Sequence, residues 1–315
     1  MRYYAGLYYH LVSDNTGISK KICIFAVDMA DIKIAGVMRS GAFSPNHIGN
    51  DAIIFNLVAE QLRKRGCEIS VFSEEQFASS DVTEHTIISM CREPRNIART
   101  QALEDEGRLV INSGYGIENC TRERLTRILE VAGIPYPETF VVDTDEVVKD
   151  RLVRAGFTGC WVKRADIHTQ HREDVSYARH PQEAQEIVQE FFLRGIKRAI
   201  ISRHIEGDLI KFYGVVGSSF FHWLNPYDAG YPRIATRDAR PPIKEFDTDA
   251  LKKLCTRTAE RLDVKIYGGD CMIDSDGKIT LINFNDWPSF APCRQEAASA
   301  IARTVLNIIK NGNRK

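Results

Sequence analysis

The chain has 315 residues, with 42 basic and 42 acidic side chains and a formal net charge of zero. That balance removes the electrostatic case for nucleic acid or an anionic membrane as a primary partner. With 43% hydrophobic and 27% charged residues the composition suits a folded soluble protein, and the length calls for about two or three subdomains.

In chain order, residues 1–30 read as an N-terminal extension with no clear period, apart from an extra strand over 22–27. Residues 1–28 would be poorly ordered or the product of an over-long start assignment. The cleaner start is Ile32-Lys33-Ile34-Ala35-Gly36-Val37-Met38, a strand. Turn formers fill 39–50. An amphipathic helix follows over 51–65, with Ile54, Leu57, Val58 and Leu62 on one face and Gly66 where a C-terminal cap is wanted. Residues 67–72 read as the next strand, so the unit is parallel α/β. Ligands sit beyond the carboxyl ends of such strands. Asn46 and His47 would meet one there, unless the loop only turns the chain.

Further strands are predicted at 86–90, 109–112, 140–143, 161–163 and 199–205. Helices are predicted at 96–107, 121–133, 181–195, 247–262 and 294–310. Residues 211–216 and 219–224 form the arms of a hairpin around Gly217. Two apolar runs flank Asp274-Ser275-Asp276-Gly277 and read as another hairpin. This second hairpin brings Asp270, at the start of one strand, to Asn283, Asn285 and Asp286 at the end of the other. Clustered oxygens of this kind suit a hard cation such as Mg²⁺; the plainer reading is a surface hairpin with polar ends.

Elsewhere the signals are thinner. Lys163 lies on a strand before a polar loop, where it can neutralise a nucleotide phosphate. The turn after Ile201-Ser202-Arg203-His204-Ile205 can read an adenine edge, and Glu206 or Asp208 can accept from ribose hydroxyls. His168 and His171 are spaced for a metal pair but lack a third ligand. The eight cysteines (23, 67, 91, 120, 160, 255, 271 and 293) form no Cys-x-x-Cys pair and no zinc spacing, which suits a reducing cytoplasm. Apolar runs are too short for a transmembrane helix, and no signal peptide is visible.

The order of these parts resembles the ATP-grasp superfamily, and most closely the glutathione-synthetase and RimK-like ligases. The segments are Asn112 through Leu125, Gly133-Ile134-Pro135-Tyr136-Pro137, Val162-Lys163, His204 through Asp208, Gly268-Gly269-Asp270, and Asn283-Phe284-Asn285. The resemblance spans about residues 86–310 and implies an α/β and α+β fold. An N-terminal parallel α/β domain (31–112) would precede two ATP-grasp subdomains (113–205 and 206–315), the second holding the metal site. It implies ATP and Mg²⁺ as cofactors. Lys163 falls on the phosphate-binding lysine and Arg124 on a second nucleotide-side cation. Ser202, Arg203, His204 and Ile205 fall on the adenine hinge, and Asp208 on the ribose position. Asp270, Asn283 and Asn285 fall on the metal positions. Lys211 falls near the basic residue that faces the transferred phosphate.

There are three departures from the pattern. Asn283 is neutral where a carboxylate is usual. Asp286 would restore one only if the strand has ended before it, since its side chain otherwise takes the other face. The loop after Lys163 carries histidines in place of glycines, as in the inositol-phosphate kinase branch, and Pro288-Ser289 replaces a common Pro-Gly. The expected activity is a carboxylate–amine ligase acting through an acyl-phosphate on small-molecule or peptide substrates, in a chain that forms a homodimer. Arg233, Arg237 and Arg240 would hold an anionic substrate. The alternatives are an inositol-phosphate-type kinase and a non-catalytic ATP-binding protein.

Overall fold

The computed structural model describes residues 32–43, 48–165, 172–226 and 245–312. The expected extension over 1–30, the loop residues Asn46, His47, His168 and His171, and the arginines 233, 237 and 240 lie outside the described residues.

The first layer is a parallel sheet. β1 (Lys33–Met38), β2 (Glu68–Ser73), β3 (Thr86–Ser89) and β4 (Leu109–Ile111) lie in the order β2-β1-β3-β4. Parallel strands need crossovers, and these are α1 (Ile48–Arg63), α2 (Glu74–Ser79) and α3 (Pro94–Asp105). Ile54, Phe55, Val58 and Leu62 bury the inner face of α1. Gly66 caps it with φ +92°, a conformation that disfavours any side chain. In β1, Gly36 is required by packing, because a Cβ there would stand 2.7 Å from the Phe55 ring.

Two short helices, α4 (Gly114–Asn119) and α5 (Arg122–Val131), lead to an antiparallel sheet of β5 (Thr139–Asp143), β6 (Cys160–Arg164), β7 (Val175–Ala178) and β8 (Arg198–Arg203). Its order is β5-β8-β6-β7, backed by α6 (Lys149–Arg154) and α7 (Pro181–Leu193). The third sheet is also antiparallel, in the order β10-β9-β11-β12. It comprises β9 (Asp208–Val215), β10 (Phe221–Leu224), β11 (Ile266–Ile273) and β12 (Ile279–Asp286), with α8 (Thr248–Leu262) against its apolar face. Both predicted hairpins are present, β9–β10 turning at Gly217 (φ +77°) and β11–β12 at Gly277 (φ +76°).

The last helix, α9 (Arg294–Gly312), packs on α1. Ile301, Val305 and Ile309 share a core with Phe55, Val58 and Trp287. The helix also packs on β9, and its core includes Ile34 and Ile88 of the first sheet with Tyr213, Val215 and Ile266 of the third. The elements that sequence reading passes over, α2, α4, α6 and β7, have six residues or fewer, too short for a periodic signal. No described helix is long and apolar enough to cross a membrane.

Candidate functional site

Alternation along β6 sets one wall of the site. Cys160 and Val162 turn inward to the core with Val142, Ala199 and Ile201. Trp161 and Lys163 therefore take the opposite face, in register with Tyr177, Ser202 and Ile200 of the neighbouring strands. The Lys163 ammonium is pushed down to about 8 by burial, with Arg122 lowering it further and Asp270 opposing. Asp270 belongs to a different sheet, so the two sheets bring their charged faces within electrostatic reach of each other.

The second wall is a row across three strands. Lys211 of β9 is opposite Asp270 of β11, and Asp270 is opposite Asn283 of β12. Lys211 Nζ donates to Asp270 Oδ1 at 2.7 Å, and Asn283 Nδ2 donates to Oδ2 at 3.2 Å. Register shifts at Asp270/Cys271, where Cys271 pairs with Leu281 and leaves Ile282 as the extra residue. This bulge re-aims the strand: Leu281 and Phe284 both enter the core, while Asn283 and Asn285 share the site face. The two glycines permit the close approach. A Cβ on Gly269 would stand 2.3 Å from the Asn283 carbonyl, and one on Gly268 2.8 Å from Pro288.

One sequence assignment is corrected by these alternations. Asp286 is not beside the metal positions. It follows Phe284 onto the other face and is fully buried, 2.7 Å from Arg92 and 3.6 Å from Arg39. Arg39 also pairs with Asp51 at 3.0 Å, so two arginines from the N-terminal domain and two aspartates form one buried cluster. Strand β12 had not ended, and the carboxylate serves that cluster. The Arg203 side chain turns to the core face of its sheet, so only its backbone bears on the expected adenine hinge. It pairs with Glu138 at 2.5 Å, donates to the Ala155 and Gly156 carbonyls, and lies 4.3 Å over Phe157.

The remaining assigned residues stand as follows. Ser202 accepts from Thr139 Oγ1 at 3.0 Å on the Lys163 face. His204 Nδ1 accepts from Trp161 Nε1 at 3.2 Å, with Tyr177 edge-on at 5.2 Å. Ile205 lies in the turn before β9, and Asp208 opens that strand opposite Ile273. Arg124 pairs with Glu118 at 2.8 Å and borders two cavities. Arg237 is outside the described residues.

Sequence reasoning missed Arg122, Trp161, Tyr177, Arg39 and Arg92. Period two from Lys163 would have found Trp161. Arg39 and Arg92 each follow the carboxyl end of a parallel strand, where such folds place ligands. Arg122 donates to the Arg164 carbonyl at 2.9 Å, beside Lys163.

Among the described residues, no three His, Cys, Asp or Glu side chains gather as a metal site. Asp270 with the amide oxygens of Asn283 and Asn285 is a donor set of the kind Mg²⁺ takes, one or two carboxylates completed by substrate phosphates, once Lys211 leaves Asp270 Oδ1. For Asn283 to offer its oxygen beside Asp270, its amide must turn over, because the nitrogen now faces the carboxylate.

This arrangement of three sheets recurs in solved structures. The RimK-domain ATP-grasp protein of Sphaerobacter thermophilus is 18% identical, with TM-score 0.63, covering 87% of this chain and 99% of its own. The D-alanine–D-alanine ligase of Bacillus anthracis, complexed with ATP, is 14% identical with TM-score 0.64, covering 89% and 98%. The ATP-grasp ligase PsnB, complexed with a minimal precursor, Mg and ADP, is 15% identical with TM-score 0.56, covering 89% and 98%. No protein-family model and no curated protein sequence matches the chain. The chain has the ATP-grasp fold, with RimK-like proteins among its structural relatives.

Proposed function

We propose that the protein is an ATP- and Mg²⁺-dependent ligase joining a carboxylate to an amine through an acyl-phosphate. One observation carries this reading: Lys211, Asp270 and Asn283 form a hydrogen-bonded row across one sheet, and the Asp270 charge is felt by Lys163 on another. Ligation by this route needs cations wherever phosphate charge builds up, and charge stabilisation of this kind is usually the largest catalytic contribution. Lys163 would hold the nucleotide phosphates, with Arg122 beside it. Lys211 would face the transferred phosphoryl group and release Asp270 as that charge arrives. Asp270, Asn283 and Asn285 would hold Mg²⁺, which supplies Lewis-acid polarisation of phosphate oxygens. Trp161 and Tyr177 would flank the base, with His204 held by the Trp161 indole. The likeness to proteins described as ligases supports the reading.

The test is ADP and phosphate release over a panel of amino acids, peptides and inositol phosphates. Lys163→Ala and Asp270→Asn are each expected to lower turnover by about 100-fold or more, with melting temperatures held. Near-normal turnover in either variant overturns the site. A second reading, nucleotide binding without turnover, is favoured by the single carboxylate among the metal positions. Metal-dependent ATP binding with no hydrolysis across the whole panel would select it.

A further inference from the structure

A cavity of about 300 Å³ lies between the Phe43 turn, α3, α4 and the start of α5, on the N-terminal side of Arg124. One wall is apolar: Phe43, Pro94, Ile97, Ala98 and Ile117. The opposite end is a polar chain in which Gln101 Nε2 donates to Glu118 Oε2 at 3.0 Å and Arg124 pairs with Glu118 Oε1 at 2.8 Å. The Glu118 and Arg124 side chains are 34% and 52% exposed, so solvent reaches the pair. Arg92 also lines the cavity, but Asp286 already matches its charge at 2.7 Å. Arg124 borders a second cavity as well, one reaching Ala165 just past Lys163 and Arg164. The apolar cavity therefore adjoins the nucleotide side through one residue.

We propose that this cavity binds a single apolar α-amino acid, its ammonium on Glu118, its carboxylate on Arg124 and its side chain along the apolar wall. The argument is one of matched chemistry. A zwitterion offers one anion and one cation at short spacing, and the exposed Glu118–Arg124 pair offers the complementary two. Among the described residues, the five side chains of that wall carry no hydrogen-bonding group, with Thr121 lining the cavity elsewhere, so the wall rewards an aliphatic or aromatic side chain and penalises a polar one left unpaired. Ligand sites run from about 300 to 1,000 Å³, and a cavity at the lower bound takes one residue, not a peptide. Arg92 is buried with Asp286 and cannot trade that partner for a ligand, whereas the solvent-exposed Glu118–Arg124 pair, worth little in water, can exchange its partners for the ligand's two charges. This deepens the ligase reading and rests on it for a role: the amino acid would be the acceptor or donor of the bond made beside Lys163.

The full chain, without nucleotide, is titrated calorimetrically with L-leucine, L-phenylalanine, glycine and L-glutamate. Leucine and phenylalanine are expected to bind at least about tenfold more tightly than glycine or glutamate. Ala98→Phe, which sets a ring at the exposed rim of the cavity, and Glu118→Gln, which removes the ammonium's partner at unchanged shape, should each weaken leucine by about tenfold or more. Absence of leucine and phenylalanine binding at millimolar concentration overturns the proposal, as does glutamate binding as tightly as leucine or unchanged affinity in Ala98→Phe. If Ala98→Phe does not fold, Glu118→Gln decides alone, loss of affinity upholding the proposal and unchanged affinity overturning it. A parallel titration of the wild-type chain with a non-hydrolysable ATP analogue separates the two ideas. Analogue binding without leucine binding sinks only the amino-acid site, and leucine binding without analogue binding sinks only the ligase.

Discussion

A lysine at the end of an apolar strand carries its charge at a cost, and Lys163 shows the size of that cost as a shift from 10.5 to about 8. Its first cause is burial, which disfavours the charged form. Between about pH 8 and 10.5 the folded chain binds fewer protons at this group than the unfolded chain does. The group thus opposes folding below pH 8, and its penalty is relieved as pH rises through that window. In the proposed role of Lys163, phosphate binding has the opposite sign, because it needs the ammonium. Affinity for a non-hydrolysable ATP analogue should fall as pH rises above 8, approaching about tenfold per unit. Lys163→Arg, charged throughout the range, should remove that slope. Titration calorimetry from pH 7 to 9.5 checks both statements, and a wild-type slope equal to the variant's would contradict them. Asn283 belongs to the same scale. Asn283→Asp adds a carboxylate beside Asp270 and should raise Mn²⁺ affinity in the presence of the analogue, read by electron paramagnetic resonance. It should also raise the local anionic charge opposite Lys211.

At the scale of the element, strand β12 does two jobs because its faces alternate. Its odd positions, Asn283 and Asn285, share the face of the proposed site, while Phe284 and Asp286 serve core and cluster. The Asp286 carboxylate links Arg39 and Arg92 to the strand that carries Asn283 and Asn285. Removing one member of a buried ion cluster leaves its partners charged and unpaired, at a cost of about 3–5 kcal/mol. Asp286→Ala should show that loss in urea denaturation. A metal ligand at this position would instead lose cation affinity with little change in stability, so the pair of measurements separates the two assignments. Arg203→Ala offers the contrasting case on β8: its partners lie on the back of the sheet, so analogue affinity should stay within about twofold of wild type, an allowance set by mutational additivity.

At the scale of the molecule, α9 joins the chain's end to its beginning. Ile301 is fully buried in the core shared with α1 and Trp287. Truncating it to alanine should cost about 2–5 kcal/mol, since the cavity left between two helices cannot fully collapse. Urea denaturation followed by far-ultraviolet dichroism measures it. A loss under about 1 kcal/mol, the size of a surface substitution, would mean that the helix does not close this core. The buried polar ties act in the same direction. Asn112 accepts from the Lys265 and Ile266 amides, both at 2.8 Å, and donates to the Ile266 carbonyl, binding the end of the first sheet to the start of β11.

Much of this was legible in one dimension because it is local. Periodicity marked α1, α5, α7, α8 and α9 within a few residues, and turn chemistry at Gly217 and Asp274–Gly277 marked both hairpins. Cross-strand pairing then made Asp270 and Asn283 neighbours by necessity, since a hairpin closes its own ends. What sequence could not decide was the face on which Asp286 emerges. That depends on whether β12 continues through it, which goes with ion pairs to two arginines more than 190 positions away, and long-range ion pairs leave no periodic trace. Nor could it show that Lys163 loses affinity for its proton, because desolvation is a property of what the fold packs around a side chain and not of the side chain itself.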